Sequence, residues 1–390
     1  MKKFIKRASI ALLALLGLVI AAGLCLCAAV FVNSQRDKRI FAAEQEERIA
    51  ALEEAYRQPD YPLETEAAMT GFDIDAALGE GIRLNEIRFI GTHNSYKAYN
   101  PAAEKLMERL IAPLGLAGSG VWSYGFEPLS QQFSRGIRSL ELDVMREKDG
   151  LRCAHIPVVD YASTCPDFGL ALREIALWSD RHPGHLPITV LVEAKTTILS
   201  GGKLFHNFNL DDVLYLEEIV AERLGERLYT PAEMLGAYEN FAQLRAADDY
   251  PVLSELLGKI LVIYHYDRRT TEAYAAHDPT LRSQKMFISS LQWYDGDGED
   301  WWPDSDVNQD YACFGIDNWS GSPILEENAR LHSMLMRTRT DSYPWRADEW
   351  EAEAMATGAF ILSTDFPPRD IPGEDPHVTA FDGGATVSRR

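Results

Sequence analysis

Four groups of polar residues in this sequence lie at, or directly after, the end of a short apolar run that is typical of a β-strand. Together they supply two histidines, three carboxylates, one amide and one lysine. Because polar groups that recur at successive strand ends build the active sites of α/β barrels, we expect all four groups to meet in one site. The groups are His93 with Asn94, Glu141 with Asp143, His155, and Glu193 with Lys195.

The spacing of the charged residues predicts the direction in which they point. Side chains at positions i and i+2 of a strand lie on the same face, so Glu141 shares a face with Asp143, and Glu193 shares one with Lys195. The aliphatic residues between them take the opposite face. In a parallel barrel we expect the aliphatic face to pack under helices and the charged face to look into the mouth of the barrel.

Three carboxylates that converge at the mouth repel one another and lose hydration, so we expect positive charge among them. Lys195 offsets one negative charge, and a divalent cation would offset two. Calcium is the first choice because it takes about six to eight oxygen ligands, and magnesium, which also binds carboxylates and keeps waters, is the second. Zinc or manganese would more often recruit the histidines directly. The predicted calcium ligands are Asn94, Glu141, Asp143 and Glu193.

The ordered set of groups resembles the calcium-dependent phosphoinositide-specific phospholipase C superfamily, and its bacterial branch in particular. That family has a His-Asn pair after its first strand, then Glu-x-Asp, a second histidine and a glutamate, and every one of these positions is filled here. Each piece is weakly specific alone, whereas the ordered set is specific. The resemblance spans about residues 85–370 and includes His182 to Pro187 and Gly358 to Pro367.

The resemblance implies a single α/β barrel of the TIM type, (β/α)8, and the remaining apolar runs fit it. The predicted strands are 87–91, 137–144, 151–154, 188–192, 260–264, 286–289, 312–316 and one within 358–367. Helical patterns between them cover 167–178, 210–224 and 326–337.

The resemblance also implies an activity, namely cleavage of a phosphoinositide-like phosphodiester through a cyclic intermediate. It implies that the predicted calcium ligands hold the metal and that Glu141 takes the proton of the attacking hydroxyl. His93 would hydrogen-bond the phosphoryl oxygens, and His155 would protonate the leaving alcohol.

Three further residues are predicted to contact the substrate. Lys195 would contact phosphate because it shares a face with Glu193. The segment Tyr264-His265-Tyr266-Asp267 follows the apolar run 260–263 and would line the mouth, with Tyr264 as the contacting residue. Trp293 opens the acidic and aromatic segment 293–302, which would cover the site or grip a headgroup, and for which a solvated acidic loop is the alternative.

Two other functions stay open. Glycerophosphodiester phosphodiesterases are also barrels with a first-strand histidine and a Glu-x-Asp pair, but their first motif is typically His-Arg-Gly, whereas this chain has His93-Asn94-Ser95. A catalytically silent protein that binds phosphate-containing ligands is the other alternative, because an inactive relative would keep most of the motif.

The N-terminal residues predict the compartment. Four basic residues precede the uncharged, mostly apolar run 8–32, which is close to the length that spans a bilayer. We therefore expect a signal anchor over 1–34 with an exported catalytic domain, or, alternatively, a cleaved signal peptide and secretion. We expect a helical stalk and linker over 35–77, the barrel over 78–372 and a loose tail over 373–390.

Charge excludes one class of partner. The 390 residues carry a net charge of −21, and such a surface repels nucleic acid and anionic lipid at long range. The expected partners are a phosphodiester or phospholipid headgroup and, through the N-terminal segment, a membrane. The sequence indicates no protein partner and no nucleic acid.

Two cysteines flank His155. In an oxidising compartment Cys153 and Cys165 would form a disulfide that fixes the intervening loop, and two free, partly buried thiols are the alternative. Peptide mapping with and without reductant distinguishes the two.

Overall fold

The computed structural model describes residues 2–111, 124–148, 150–156, 160–200, 203–265, 268–292, 310–341, 347–368 and 377–390. The helices are α1 Lys2–Arg57, α2 Glu66–Thr70, α3 Ile74–Glu80, α4 Ala102–Ile111, α5 Leu129–Ser134, α6 Phe168–Arg181, α7 Leu210–Leu224, α8 Pro231–Leu235, α9 Phe241–Ala247, α10 Leu253–Leu256, α11 Arg268–His277, α12 Pro323–Arg330 and α13 Ala347–Ala356. The strands are β1 Ile87–Thr92, β2 Ser139–Glu147, β3 Gly150–Cys153, β4 Ile188–Lys195, β5 Thr197–Ser200, β6 Lys203–His206, β7 Ile260–His265, β8 Phe287–Gln292, β9 Ala312–Asp317, β10 Leu335–Arg339, β11 Ile361–Thr364 and β12 Val387–Arg389.

Eight of these strands are parallel and close into a barrel, which confirms the predicted TIM-type fold. In barrel order they are β1, β2, β4, β7, β8, β9, β10 and β11. The barrel closes where β1 meets β2, at the pair Gly91 and Ser139. A Cβ on Gly91 would lie 2.9 Å from the Cβ of Ser139, so this close approach requires glycine.

The outward faces of the strands build the core between barrel and helices. Leu142 on β2 and Val192 on β4 are fully buried, and they belong to one hydrophobic cluster with Leu172 and Ile175 of α6. Each such side chain stabilises the fold by about 1.5–3 kcal/mol when it is fully buried. Helix α6 begins after Asp167, whose carboxylate accepts a hydrogen bond from the backbone N–H of Leu170 at 2.8 Å.

Two predicted elements differ from the structure, and both differences bear on the site. The run 151–154 is not a barrel strand, because β3 turns back and pairs antiparallel with β2. The helix predicted over 326–337 ends at Arg330, and Ser333 takes a left-handed conformation with φ 48° before the chain enters β10. Strand β10 then supplies the seventh barrel strand, between β9 and β11.

The N-terminal helix packs on the barrel. The sequence predicts a stalk after the apolar run, but the second half of α1 lies against α6, and Gln45 and Ile49 are buried there. Within the described residues, no helix is both long and apolar enough to cross a bilayer. The signal anchor expected over 1–34 stays a prediction.

The C-terminal residues are not a loose tail. Strand β12 pairs antiparallel with residues Ile87 to Phe89 of β1. This edge of β1 is open because β2 joins β1 only at Gly91. The backbone N–H of Ile90 also donates to the carbonyl of Thr386 at 2.8 Å, so the C-terminus covers backbone groups that the barrel leaves unpaired.

A fully buried arginine joins α2 to the amino end of β2, on the side of the barrel opposite the carboxyl ends of the strands. Arg138 donates to both carboxylate oxygens of Glu66 at 2.7 and 2.6 Å, and to the carbonyls of Phe133 and Ile137 at 2.7 Å each.

We expect Arg138→Met to lower the free energy of unfolding by about 3 kcal/mol in urea denaturation, because Glu66 loses its partner inside the protein. The matched control is Arg330→Met, whose exposed pair with Glu326 should be worth about 0.5 kcal/mol or less. Equal losses for the two variants would contradict the structural role of Arg138.

Candidate active site

An acidic cluster lies at the carboxyl ends of two neighbouring strands. Glu141 and Asp143 come from β2 and Glu193 from β4, and Asp143 pairs directly with Glu193 in the register. One carboxylate oxygen from each residue lies within 4.8 Å of the others. The period-two prediction of their direction agrees with this geometry, because the alternate residues Leu142 and Val192 lie in the outer core.

Two cations hold this cluster. The ammonium of Lys195 contacts the carboxylate of Glu193 and lies 3.4 Å from Oδ2 of Asp143. The guanidinium of Arg337, on β10, contacts the carboxylate of Glu141 and donates to Oγ of Ser363 at 3.2 Å. Three negative charges therefore face two positive charges.

The remaining negative charge fits a metal ion. Among the described residues, the buried Oδ1 atom of Asp143 has no hydrogen-bond partner. A buried carboxylate oxygen without a partner is costly, and a hard cation with oxygen ligands would satisfy it. This donor set suits calcium.

A tyrosine connects the fourth predicted metal ligand to the cluster. The hydroxyl of Tyr96 contacts Oδ2 of Asp143 at 2.9 Å and Oδ1 of Asn94 at 3.1 Å. Asn94 is buried with a left-handed φ of 53°, a conformation that asparagine adopts more readily than most residues. Its Nδ2 donates to the hydroxyl of Tyr124 at 2.8 Å. The structure thus brings all four predicted ligands to one end of the barrel.

Burial and charge set the protonation of the carboxylates. Burial raises the pKa of Glu141 to about 7, although Arg337 opposes the shift. Burial likewise raises the pKa of Asp143 to about 6, against the effect of Lys195. At Glu193, Lys195 and His265 together outweigh burial, and the pKa falls to about 2.

His93 follows β1 and is held by an aspartate that follows the adjacent strand β11. Its Nδ1 lies 2.9 Å from Oδ1 of Asp365, and Arg339 donates to the other carboxylate oxygen at 3.0 Å. Burial lowers the pKa of His93 well below its usual value, and Arg339 and Arg337 add to the effect. His93 is therefore neutral at pH 7. Because the carboxylate of Asp365 accepts a hydrogen bond, Nδ1 carries the proton and Nε2 is an acceptor.

His155 has its own aspartate. Its Nδ1 lies 2.8 Å from Oδ2 of Asp160, and the ammonium of Lys97 contacts the other oxygen of that carboxylate. Burial disfavours ionisation of Asp160, but Lys97 and His155 outweigh it and hold the pKa of that carboxyl below its ordinary value.

A chain of contacts joins the two histidines. The ring of Tyr124 stacks against His93 with centroids 6.0 Å apart, and Lys97, the partner of Asp160, lies 5.2 Å from the centroid of the same ring. The two imidazoles therefore belong to one end of the barrel, as the sequence predicts.

The structure replaces one predicted substrate contact. Tyr264 is fully buried and pairs in register with Val192 on the outer face of the sheet, where its ring packs 5.8 Å from that of Tyr274 on α11. His265, one residue later, pairs with Glu193 and contacts Oγ of Ser289 at 3.1 Å. His265, and not Tyr264, therefore lies on the face of the sheet that carries Glu193.

Lys195 lies in the site as predicted, and Trp293 and the acidic segment 293–302 lie outside the described residues. Cys153 and Cys165 are free, fully buried thiols here, and their disulfide remains a prediction.

Sequence reasoning missed several residues of the site. The Arg-x-Arg spacing of Arg337 and Arg339 places both on one face of a strand, but the helical pattern before them obscured this signal. Asp365 stands inside the segment that resembles the final strand of the family. No spacing pattern indicates Asp160. The missed residues are Asp160, Arg337, Arg339 and Asp365.

A parallel barrel with an acidic metal site and two histidines at the carboxyl ends of its strands defines a class of metal-dependent phosphodiesterases. The family model described as phosphoinositide phospholipase C, Ca2+-dependent, matches residues 82–150 and 146–298. These ranges cover more than half of the chain, and the protein belongs to this family of calcium-dependent, phospholipase C-like phosphodiesterases. No curated protein matches the sequence.

Solved structures share the fold. A calcium-dependent phosphoinositol-specific phospholipase C from a Gram-negative bacterium, Pseudomonas sp., is 19% identical in its apo form, with 79% of this chain and 95% of that chain covered and a TM-score of 0.54. Its myo-inositol complex covers 84% of this chain and 100% of that one at 19% identity and a TM-score of 0.56. The Ca2+-dependent phosphatidylinositol-specific phospholipase C of Streptomyces antibioticus is 18% identical, with 73% and 94% covered and a TM-score of 0.51.

Calcium affinity should depend on pH. Glu141 must lose its proton to bind a metal, and its pKa of about 7 predicts that affinity falls about tenfold between pH 8 and pH 6. Calorimetric titration with CaCl2 in two buffers of different ionisation enthalpy should detect proton release near pH 7. As a control, Glu141→Gln should bind calcium more weakly and with a shallower pH dependence. An affinity that is constant from pH 6 to pH 8 would refute this assignment.

Proposed function

We propose that the protein cleaves a phosphodiester whose headgroup carries a hydroxyl beside the ester, as inositol does. The hydroxyl oxygen attacks phosphorus, the bond from phosphorus to the other alcohol breaks, and a cyclic phosphodiester is formed. The observation that carries this proposal is that two histidines, each bonded to its own aspartate, lie at the same end of the barrel as the acidic cluster.

We assign the base to His93. In neutral His93 the Nδ1–H donates a hydrogen bond to Asp365, so the lone pair of Nε2 can accept the proton of the attacking hydroxyl. The resemblance suggests Glu141 for this role. We choose His93 because Glu141 already pairs with Arg337 and because calcium, once bound, would occupy the oxygen that gives Glu141 its pKa of about 7 in the metal-free site.

We assign the acid to His155. Its Nδ1–H is donated to the carboxylate of Asp160, which orients the ring and leaves Nε2 as the atom that protonates the departing alcohol. Lys195, which lies between Glu193 and Asp143, is the proposed phosphate contact. Calcium, when bound by Asn94, Glu141, Asp143 and Glu193, would neutralise charge on the phosphate and lower the pKa of the attacking hydroxyl.

Leaving-group dependence tests these roles. We expect His155→Ala to lower kcat by about 10²–10⁴ for an inositol phosphodiester with an alkyl leaving group. The loss should be far smaller for a nitrophenyl ester, because nitrophenolate leaves without being protonated. His93→Ala should slow both substrates, because both need the base. Rates are measured at pH 7 with calcium or with chelator. The control is His332→Ala, since His332 precedes β10, at the opposite end of the strand from the site, and lies 3.8 Å from Glu327 of α12.

Product analysis by ³¹P NMR separates the alternatives. A cyclic phosphodiester that appears first supports the proposal, whereas glycerol phosphate formed directly would indicate a glycerophosphodiester phosphodiesterase-like reaction. If the wild-type protein turns over no phosphodiester and His93→Ala alters only affinity, the protein is a silent binding protein and the proposal fails.

We further propose that the barrel acts outside the cytoplasm. The support is the sequence alone, in which Lys2, Lys3, Lys6 and Arg7 precede the apolar run 8–32. In expressing bacteria the chain should resist alkaline extraction from membranes and should be digested by protease that is added from outside. A shortened chain in the medium would indicate signal cleavage instead, and a full-length chain in the cytoplasmic fraction would contradict export.

A further inference from the structure

Helix α1 contacts two different parts of the catalytic domain. The first is α6, where Arg48 donates to Glu174 at 3.1 and 3.2 Å, and Arg173 donates to Glu53 at 3.0 and 3.1 Å. Glu174 is fully buried, and its other oxygen accepts from the backbone N–H and the hydroxyl of Ser130. These contacts fix the helix on the outside of the barrel.

The second part is the segment 160–167, which follows His155. The side chain of Gln45 makes two hydrogen bonds with the backbone of Asp167, donating to its carbonyl at 2.9 Å and accepting from its N–H at 2.8 Å. Arg48 also donates to the carbonyl of Thr164 at 2.6 Å. The hydroxyl of Tyr161 donates to the carboxylate of Asp37 at 2.6 Å. One face of α1 therefore supplies hydrogen bonds along this segment.

The opposite side of the same segment faces the active site. The backbone N–H of Thr164 donates to the carbonyl of Tyr96 at 2.6 Å, and Tyr96 contacts the predicted metal ligands. Glu104 accepts from the backbone N–H groups of Tyr161 and Ala162 at 2.5 and 2.6 Å. The segment is thus held between α1 on the outside and the site on the inside.

The position of Tyr161 connects the helix to the acid. Its ring is fully buried, its hydroxyl is bonded to Asp37, and its neighbour Asp160 is the partner of His155. The backbone next to Asp160 is therefore held at Tyr161, by Asp37 of α1 from the outside and by Glu104 of α4 from the inside. This backbone helps to set where the carboxylate of Asp160 points. A change of about 1 Å in the position of a catalytic group is enough to reduce rates strongly.

We propose that α1 is a positioning element for the general acid, and that Asp37 and Tyr161 are its positioning residues. The helix holds the segment 160–167 so that Asp160 presents His155 to the leaving alcohol. This inference rests on the proposed function, because it takes His155 as the acid.

The experiment uses the full-length chain with the variants Asp37→Ala, Tyr161→Phe and the double variant. Each single change deletes the same hydrogen bond from one side and leaves the catalytic residues intact. The matched control is Glu53→Ala, which removes a contact between α1 and α6 but none with the segment 160–167. Amide hydrogen exchange of residues 160–167 is measured together with kcat for the alkyl and nitrophenyl substrates.

If the inference holds, amides of 160–167 exchange about tenfold faster in both single variants, and kcat falls about tenfold for the alkyl substrate but less than about twofold for the nitrophenyl ester. The double variant should lose no more than either single variant, and the control should resemble the wild type. Equal losses with both substrates would indicate a merely structural role and would overturn the inference, as would unchanged exchange.

Hydrogen exchange also separates this inference from the proposed function. If the wild type shows no turnover of any phosphodiester, the proposed function fails, and with it the link to an acid. If turnover is normal but the variants leave the exchange of 160–167 and the alkyl rate unchanged, only the role of α1 fails.

Discussion

The rest of this structure depends on the burial of three carboxylates at one end of the barrel. An unpaired charge inside a protein costs several kcal/mol, so Glu141, Asp143 and Glu193 require partners wherever the backbone places them. Lys195 comes from the same strand as Glu193, but Arg337 comes from β10, across the barrel. Only a closed barrel brings that arginine to Glu141. The charge balance of the site and the closure of the barrel therefore depend on each other. Oδ1 of Asp143, which has no partner among the residues that the structure describes, is where a cation would complete the balance.

The sequence predicts those residues of the site whose direction follows from the alternation of side chains along a strand. Alternation along β2 and β4 is enough to put the three carboxylates and Lys195 on one face, and the register then makes Asp143 and Glu193 neighbours. The same rule explains the error at β7. Side chains alternate between the two faces of a strand, so Tyr264 and His265 must point to opposite faces. An aromatic residue beside an aliphatic run gave no indication of which face it takes.

The parts that the sequence did not predict are those that tertiary contacts decide. Residues 326–337 have a helical pattern, and nothing local requires the chain to leave the helix before Leu331. The chain does so because the barrel needs a strand between β9 and β11, and that strand carries both arginines of the site. The packing of α1 was missed for a similar reason. Its contacting residues are polar, as in a solvated helix, and only the structure shows that Gln45 is buried against a backbone segment.

The two histidines are supported in different ways, and this difference has consequences for how the site works. His93 and Asp365 follow β1 and β11, whose paired ends include Thr92 and Thr364, so the barrel ladder itself sets their distance. His155 and Asp160 lie outside the barrel, beyond the hairpin strand β3, which pairs with β2 and forms one bridge, Arg152 with Asp167, to the segment 160–167. No barrel strand carries this second pair. Ile156 and Asp160 exchange two backbone hydrogen bonds of 2.9 Å, and side-chain hydrogen bonds from α1 and α4 hold the residues that follow. Segments held in this way open locally at lower free energy than barrel strands do. The base side of the site is therefore held by the barrel ladder, whereas the acid side is held by isolated backbone bridges and by the helices that pack against it.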